Sequence, residues 1–193
     1  MIDTNAVKIL FTEARTHSYW QDKPVDDALL QKAYDLARMA PTSANCQPMR
    51  IVFVKSKEAK EKLKSCLDAG NVEKTMAAPV TAIIAYDMEF YEQLKKYYPH
   101  TDARAWFAGK PEKISDTAFR NGTLQGGYFL LAARAVGLDC GPMSGFNRKK
   151  CDEAFFKDTP YQSNFLCNLG YGVVEKLHPR HPRPAFNDTC KII

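Results

Sequence analysis

Apolar residues fall at helical spacing in three stretches and in nearly unbroken runs in three others. In residues 6–14, Val7, Leu10, Phe11 and Ala14 share one helical face. Asp26 is placed to cap a helix running to about Met39, with Leu29, Ala33, Leu36, Ala37 and Ala40 at core spacing and Pro41 as its stop. The third and most apolar helix spans about Asp116 to Val136 and ends at Gly137; Gly126, Gly127, Ala132 and Ala133 would let a neighbour approach it closely. RIVFV (50–54), PVTAIIAY (79–86) and SNFLCNLGYGVV (163–174) read as strands, the second apolar enough to be covered on both faces. Ser56 can cap a lysine-rich surface helix to about Leu67, and Asp87 another to about Tyr98.

Between these elements lie segments without clear periodicity. Residues 40–48, APTSANCQP, carry a hydrogen-bonding side chain at nearly every position between two prolines. Residues 70–75, GNVEKT, read as a polar turn, and residues 140–147, CGPMSGFN, as a Gly/Pro loop before a short helix. Residues 99–115 form a polar-aromatic excursion long enough for a lid or binding loop. The tail HPRHPRPAFNDTCKII begins with three prolines and is extended there. Mixed helices and strands predict an α/β or α+β domain, residues 1–193 forming one unit with helices around a central sheet.

Composition narrows the classes. The chain has 193 residues, 45% hydrophobic and 25% charged, with a formal net charge of +5. That charge fits an anionic ligand; the absence of long basic runs argues against nucleic acid. No apolar run reaches the ~20 residues a bilayer span needs, and the first residues lack a basic-then-apolar signal pattern, so a cytoplasmic protein without a membrane partner is expected. Six scattered cysteines (46, 66, 140, 151, 167 and 190) without a CxxC read as reduced, mostly buried thiols.

Polar clusters offer ligand-holding chemistry. Arg15, Thr16, His17 and Ser18 would suit a phosphate, as would Arg180 and Arg183 beside His178 and His181; each cluster also reads as a plain solvated segment. An HxxH metal pair with Cys190 lacks a fourth ligand, so no metal is expected. GPMSG (141–145) can aim backbone N–H groups at a ligand, or be a tight turn. A Rossmann GxGxxG, a P-loop, a GxSxG elbow and an HExxH are all missing, and no nucleophilic triad can be assembled. Strong ligand-holding signals without side-chain catalysts are the pattern of a cofactor-dependent enzyme. Cys46 as a redox thiol is a rival, against its reading as a small packed residue.

These pieces in this order resemble the FMN-dependent nitroreductase family: RTHS (15–18), PTSANCQP (41–48), Asn71 and Lys74, the apolar helix ending GLDCGPMSGF, and the tail arginines. The longer matches ARTHSYWQDKPV, LARMAPTSANCQP and HTDARAWFAG are similar to one branch, the malonic semialdehyde reductases and NADH dehydrogenase/nitroreductases. The resemblance implies an α+β nitroreductase-like fold, a mostly antiparallel sheet flanked by helices, and an intertwined homodimer with FMN at its interface. It implies that Arg15, Thr16 and His17 meet the phosphate and ribityl side of FMN, joined by Arg183 with Arg180 or His181. Ser43 and Asn45 would reach the partner's flavin, Asn71 and Lys74 the pyrimidine edge, and Pro142, Met143, Ser144 and Gly145 would lie along the ring near N5. NADH or NADPH would give hydride to N5 and a small acceptor would take it, so no protein side chain need be catalytic; Lys74 would stabilise the negative reduced flavin. The acceptor would be malonic semialdehyde or a nitro or quinone compound, met by Arg104, Trp106 and Phe107. The alternative is a flavin-binding sensor or storage protein without turnover. Where many relatives have a second basic residue after the first arginine, this chain has Ser18 and Tyr19; where many have an acid in the N5 loop, it has Ser144.

Overall fold

The computed structural model describes residues 2–193. α1 (Thr4–Val7) starts on Asp3, whose carboxylate accepts the Ala6 N–H at 2.7 Å. The helix then widens over Lys8–Thr12, where Glu13 N–H reaches back five residues to Lys8 O. Widening rotates the expected apolar face, and Phe11 is left 54% exposed. α2 (Asp27–Ala37) is capped by Asp26 as the sequence predicts. Its inward stripe is Leu30, Ala33 and Ala37; Leu36, expected inside, faces out. The helix ends two residues before the expected Met39, because Pro41 disfavours helical geometry at Ala40.

β1 (Met49–Val54) leads to α3 (Lys57–Lys64), capped by the Ser56 hydroxyl at 3.1 Å from Ala59 N–H. The expected polar turn at 70–75 is instead helical, inside α4 (Ala69–Ala77). β2 (Val80–Asp87) is buried along its whole length, matching its apolar run. Asp87 accepts the Glu89 N–H, and the chain continues as a tight turn over Phe90–Gln93 and the short α5 (Leu94–Tyr97).

The 99–115 excursion is a packed corner: Ala103 and Phe107 are buried against Phe90, Leu94, Ile114 and Ala118. Pro111 opens α6 (Pro111–Ala135), five residues earlier than the sequence suggests. Gly126 allows α6 to touch the sheet, since a Cβ there would lie 2.7 Å from the Phe165 ring. Gly127 faces outward with open space around it, so it permits no close approach within the chain. Gly137 follows with φ +87°, the left-handed residue expected after the helix.

β3 (Asp139–Met143) occupies part of the expected Gly/Pro loop. Pro142 is tolerated because β3 is an edge strand, its outer side bridged only at Cys140, by Thr16. α7 (Arg148–Phe155), β4 (Tyr161–Gly170) and α8 (Phe186–Thr189) complete the chain. The sheet order is β1-β2-β4-β3 and every pair is antiparallel. α2 and α6 cover one face of the sheet, α3 and α7 the other. The expected α+β architecture, a largely antiparallel sheet flanked by helices, is what the chain adopts. Among the described residues no helix is long and apolar enough to cross a membrane.

Candidate active site: an arginine trough leading to Lys74

A cleft of about 470 Å³ lies between the turn after α1 and the C-terminal tail. Arg15, Thr16, Ser18, Arg134, Arg180 and Arg183 line it. Two of its guanidiniums lock the two segments together, and a third ties the N-terminal segment to α6. Arg15 donates to His178 O, Arg180 to Thr12 O and Ala14 O at 2.9 Å each, and Arg134 to Leu10 O at 3.2 Å. All these acceptors are neutral carbonyls. Among the described residues, none of the four arginines pairs with a carboxylate. Their charge is therefore available to an anion, and the bidentate fork of arginine suits a phosphate.

A second cleft, about 340 Å³, continues from the first and shares Ser18 and His178 with it. Tyr19, Trp20, Lys74 and Lys176 stand along it. The two clefts adjoin at Ser18 and His178 to make a trough, four arginines lining one part and Lys74 the other. α4 carries Lys74, and its carbonyl end is fixed by side chains distant in sequence: Trp20 Nε1 donates to Lys74 O at 3.0 Å and Asn168 Nδ2 at 3.2 Å. Asn71, one turn earlier, is partly engaged: its Nδ2 donates to Gly145 O at 2.7 Å, which also accepts Asp68 N–H. Gly145 is required by this approach, because a Cβ there would lie 2.4 Å from Asn71 Nδ2. Met143 is stitched to the same helix through the Thr75 hydroxyl, 3.5 Å from its sulfur. The segment Pro142–Gly145 is thus tied to α4, the part of α4 that bears Lys74.

Two expected contacts are not seen within the chain. His17 lines neither part of the trough, although with Arg15 it borders an adjoining cleft of about 410 Å³. It is 4% exposed, with Nε2 3.5 Å from Asp139 Oδ1 and its ring against Gly172. Burial lowers its pKa below the ordinary 6.5, outweighing the pull of Asp139, so the ring is neutral at pH 7 and supplies no cation. Its neighbour Thr16 is taken up as an edge partner of β3, facing Cys140, and this turns the His17 side chain inward. Phe107 is a core residue, edge-on to Phe90 at 5.0 Å, and cannot meet an acceptor. Arg104 grips Glu92 with two 2.7 Å bonds, so a substrate carboxylate would have to displace that partner. Trp106 is half-exposed and packs against Tyr98.

Ser43 and Asn45 are exposed and line neither part of the trough in their own chain. Their loop is held in an uncommon shape, with Ala44, Asn45 and Gln47 at φ 50°, 48° and 43°. Gln47 bonds Asn45 Oδ1 at 2.7 Å, and the buried Gln125 bonds Gln47 Oε1 at 2.6 Å and accepts Met49 N–H at 2.9 Å. Cys46 is buried beneath the loop and its thiol is pushed up to about 11 by burial, which leaves no thiolate for redox chemistry at neutral pH.

The sequence reading missed Trp20, Arg134 and Lys176 as trough residues, along with Asn168 behind the trough and Gln125 beneath the 40–48 loop. Of these only Trp20 had a local signal, as the end of the ARTHSYW cluster.

Comparison with known proteins identifies the family. The sequence model of the nitroreductase family matches residues 12–171. A protein of Polynucleobacter asymbioticus, named "Putative NADH dehydrogenase/NAD(P)H nitroreductase", is 55% identical over 193 residues, covering 100% of this chain and 98% of its own. A Burkholderia lata protein of the same description is 58% identical over 191 residues, 99% of this chain and 98% of that one. Among solved structures, a Bacillus subtilis nitroreductase superposes with a TM-score of 0.86 at 22% identity, over 99% of this chain and 100% of that one. An Exiguobacterium sibiricum nitroreductase, solved in complex with FMN, gives a TM-score of 0.84 at 21% identity over 100% and 99% of the two chains. Sequence and fold thus converge on one conclusion, that the chain belongs to the nitroreductase family.

Proposed function

We propose that the protein passes reducing equivalents from a nicotinamide nucleotide to a small acceptor, either malonic semialdehyde, giving 3-hydroxypropanoate, or a nitro or quinone compound. As a nitroreductase it is an FMN-dependent NAD(P)H oxidoreductase. One observation carries the reading: the trough with unpaired arginines lining one part and Lys74 the other. A phosphate at one end and a flat, electron-accepting ring at the other would fit that polarity. FMN, when bound, supplies the hydride chemistry. Arg15, Arg180 and Arg183 would hold its phosphate, with Thr16 at the same end. Lys74 would offset negative charge at the ring's far edge, and the free oxygen of Asn71 could accept a hydrogen bond there. Pro142 to Gly145, tied to α4, would form the wall along the ring.

A second copy of the chain would complete the site. Ser43 and Asn45 are exposed and line neither part of their own trough, and Leu124 and Tyr128, one turn apart, expose an apolar face on α6. A homodimer burying that face would bring the 40–48 loop to the neighbour's flavin.

Anaerobic titration tests the reading. The purified protein should bind FMN with yellow colour, bleach on NADH or NADPH, and recover its colour when an acceptor is added. A protein that cannot be loaded with FMN would overturn it. Loading and bleaching with no acceptor able to restore colour would favour a sensor or storage role. Comparing malonic semialdehyde with nitro and quinone compounds in one preparation ranks the acceptors. An unchanged KM for the aldehyde in Arg104→Ala would remove Arg104 from its recognition.

A further inference from the structure

Lys60 is the most unusual charged residue in the chain. It sits on the inward side of α3, 5% exposed, beside the fully buried Leu63. Among the described residues it has no carboxylate partner. An unpaired buried ammonium costs several kcal/mol, on the order of what a domain can spare, so a structural role alone would be better served by methionine. Burial lowers its pKa to about 8, which leaves the charged form predominant at neutral pH.

Its hydrogen bonds show what it faces. Lys60 Nζ donates to Thr75 O and to Thr81 Oγ1, both at 2.8 Å. Thr81 donates to Asn168 Oδ1 at 2.7 Å. Asn168 Nδ2 lies 3.2 Å from Lys74 O and 3.3 Å from Thr75 Oγ1, and the Thr75 hydroxyl points at Met143 Sδ. Two of the three ammonium N–H groups and the side-chain donors of Thr81, Asn168 and Thr75 each meet an acceptor, so the bonds reinforce one another. The series joins α3, α4, β2, β4 and β3. Thr75 O is one of the terminal carbonyls of α4 that no helical N–H can satisfy, where the helix dipole is negative. The ammonium therefore caps the helix end that carries Lys74, one residue from it.

We propose that Lys60 is a positioning residue for the ring end of the flavin site: it locks the last turn of α4 and adds a second, buried positive charge behind Lys74, favouring reduced FMN over oxidised FMN. The proposal rests on the trough being the FMN site. The lock acts on both flavin states equally. The charge acts mainly on the reduced state, which carries more negative charge, and this difference separates a positioning role from mere support.

Lys60→Met removes charge and hydrogen bonds together, whereas Lys60→Gln keeps an amide donor for Thr75 O without the charge. FMN affinity is measured by flavin fluorescence, the potential of bound FMN by dye-coupled reduction, and folding by thermal melting. Wild type loaded with FMN is the reference. Both variants are expected to hold reduced FMN about tenfold less tightly relative to oxidised FMN, the scale of one charge acting on another through a partly screened protein interior, seen as a more negative potential. Lys60→Met is also expected to bind oxidised FMN more weakly than Lys60→Gln. Variants that load FMN with the wild-type ratio of the two affinities would overturn the proposal and leave the FMN site standing. Failure of both to fold would assign Lys60 to stability and also overturn it. Failure of the wild type to bind FMN would overturn the site itself, and the proposal with it.

Discussion

Gln125→Leu tests whether the 40–48 loop is held in place from beneath. Gln125 is 2% exposed on α6. Its Nε2 donates to Gln47 Oε1 at 2.6 Å, and its Oε1 accepts the first N–H of β1, from Met49, at 2.9 Å. The loop it secures contains three non-glycine residues at positive φ, Ala44, Asn45 and Gln47. At about 1 kcal/mol each, that geometry stores on the order of 3 kcal/mol, which the Gln125 clamp and the bonds of Thr42 and Asn45 must offset. Leucine fills a similar volume but orphans the Met49 N–H, costing about 1–3 kcal/mol, and frees Gln47, costing about 1 kcal/mol more. Gained apolar burial returns about 1 kcal/mol, so a net loss of about 2 kcal/mol is expected. Urea denaturation of the FMN-free protein at one fixed concentration reads it directly. Hydrogen exchange should speed up at residues 44–49 and stay unchanged in β2. A stability within about 0.5 kcal/mol of wild type, with unchanged exchange at 44–49, would refute the clamp. Faster exchange with undiminished FMN binding would instead detach the loop from the flavin site.

Other perturbations have definite signs. Arg183→Ala should weaken FMN about tenfold while leaving riboflavin, which has no phosphate, nearly unchanged; equal losses for both would move the phosphate elsewhere. Gly126→Ala drives a methyl to 2.7 Å from the Phe165 ring and should cost about 1–3 kcal/mol in urea denaturation, although alanine is the better helix former. Because burial lowers the folded pKa of Lys60 to about 8 from 10.5, the unfolded chain binds the extra proton between those values. Stability should therefore rise by about 1–3 kcal/mol from pH 8 to 10.5, and Lys60→Met should abolish that rise. Cys46→Ala should retain turnover, with a stability loss of about 1–2 kcal/mol from its buried thiol; abolished turnover in a folded, FMN-loaded variant would revive a thiol mechanism.

What could be read from sequence was what depends on near neighbours. The caps Asp26 and Ser56, the left-handed Gly137 and the apolar β2 each announce themselves within a few residues. α4 did not, because AGNVEKTMA has few apolar positions and its end is secured by Trp20, Lys60 and Asn168 from elsewhere in the chain. β3 did not, because Pro142 and Gly141 argue against a strand; only its edge position permits one. His17 looked like a ligand beside Arg15, yet the pairing of Thr16 with Cys140 turns its ring inward. Lys60 looked like one more surface lysine in KEAKEKLK, and its place on the Leu63 side of the helix became visible only in the packed structure.

The two ends of the trough are built on different principles. The arginine end is assembled by backbone carbonyls near the termini: Arg15 and Arg180 each reach across to the other segment, and their charges remain free for an anion. Such an end can form only when tail and N-terminal segment dock, so its residues are readable as two basic motifs but its shape is not. The Lys74 end is built from inside, through buried side chains of α3, β2 and β4 that never reach the trough. A family likeness carries the first kind of residue, because ligands sit in recognisable motifs. It does not carry the second, because a helix end can be capped by many different side chains. Two relatives could therefore share Arg15 and Lys74 yet tune the flavin differently, according to whether a charge stands behind Lys74. On the proposal for Lys60, the adjustable part of this enzyme's redox chemistry would lie in its core rather than among its ligands.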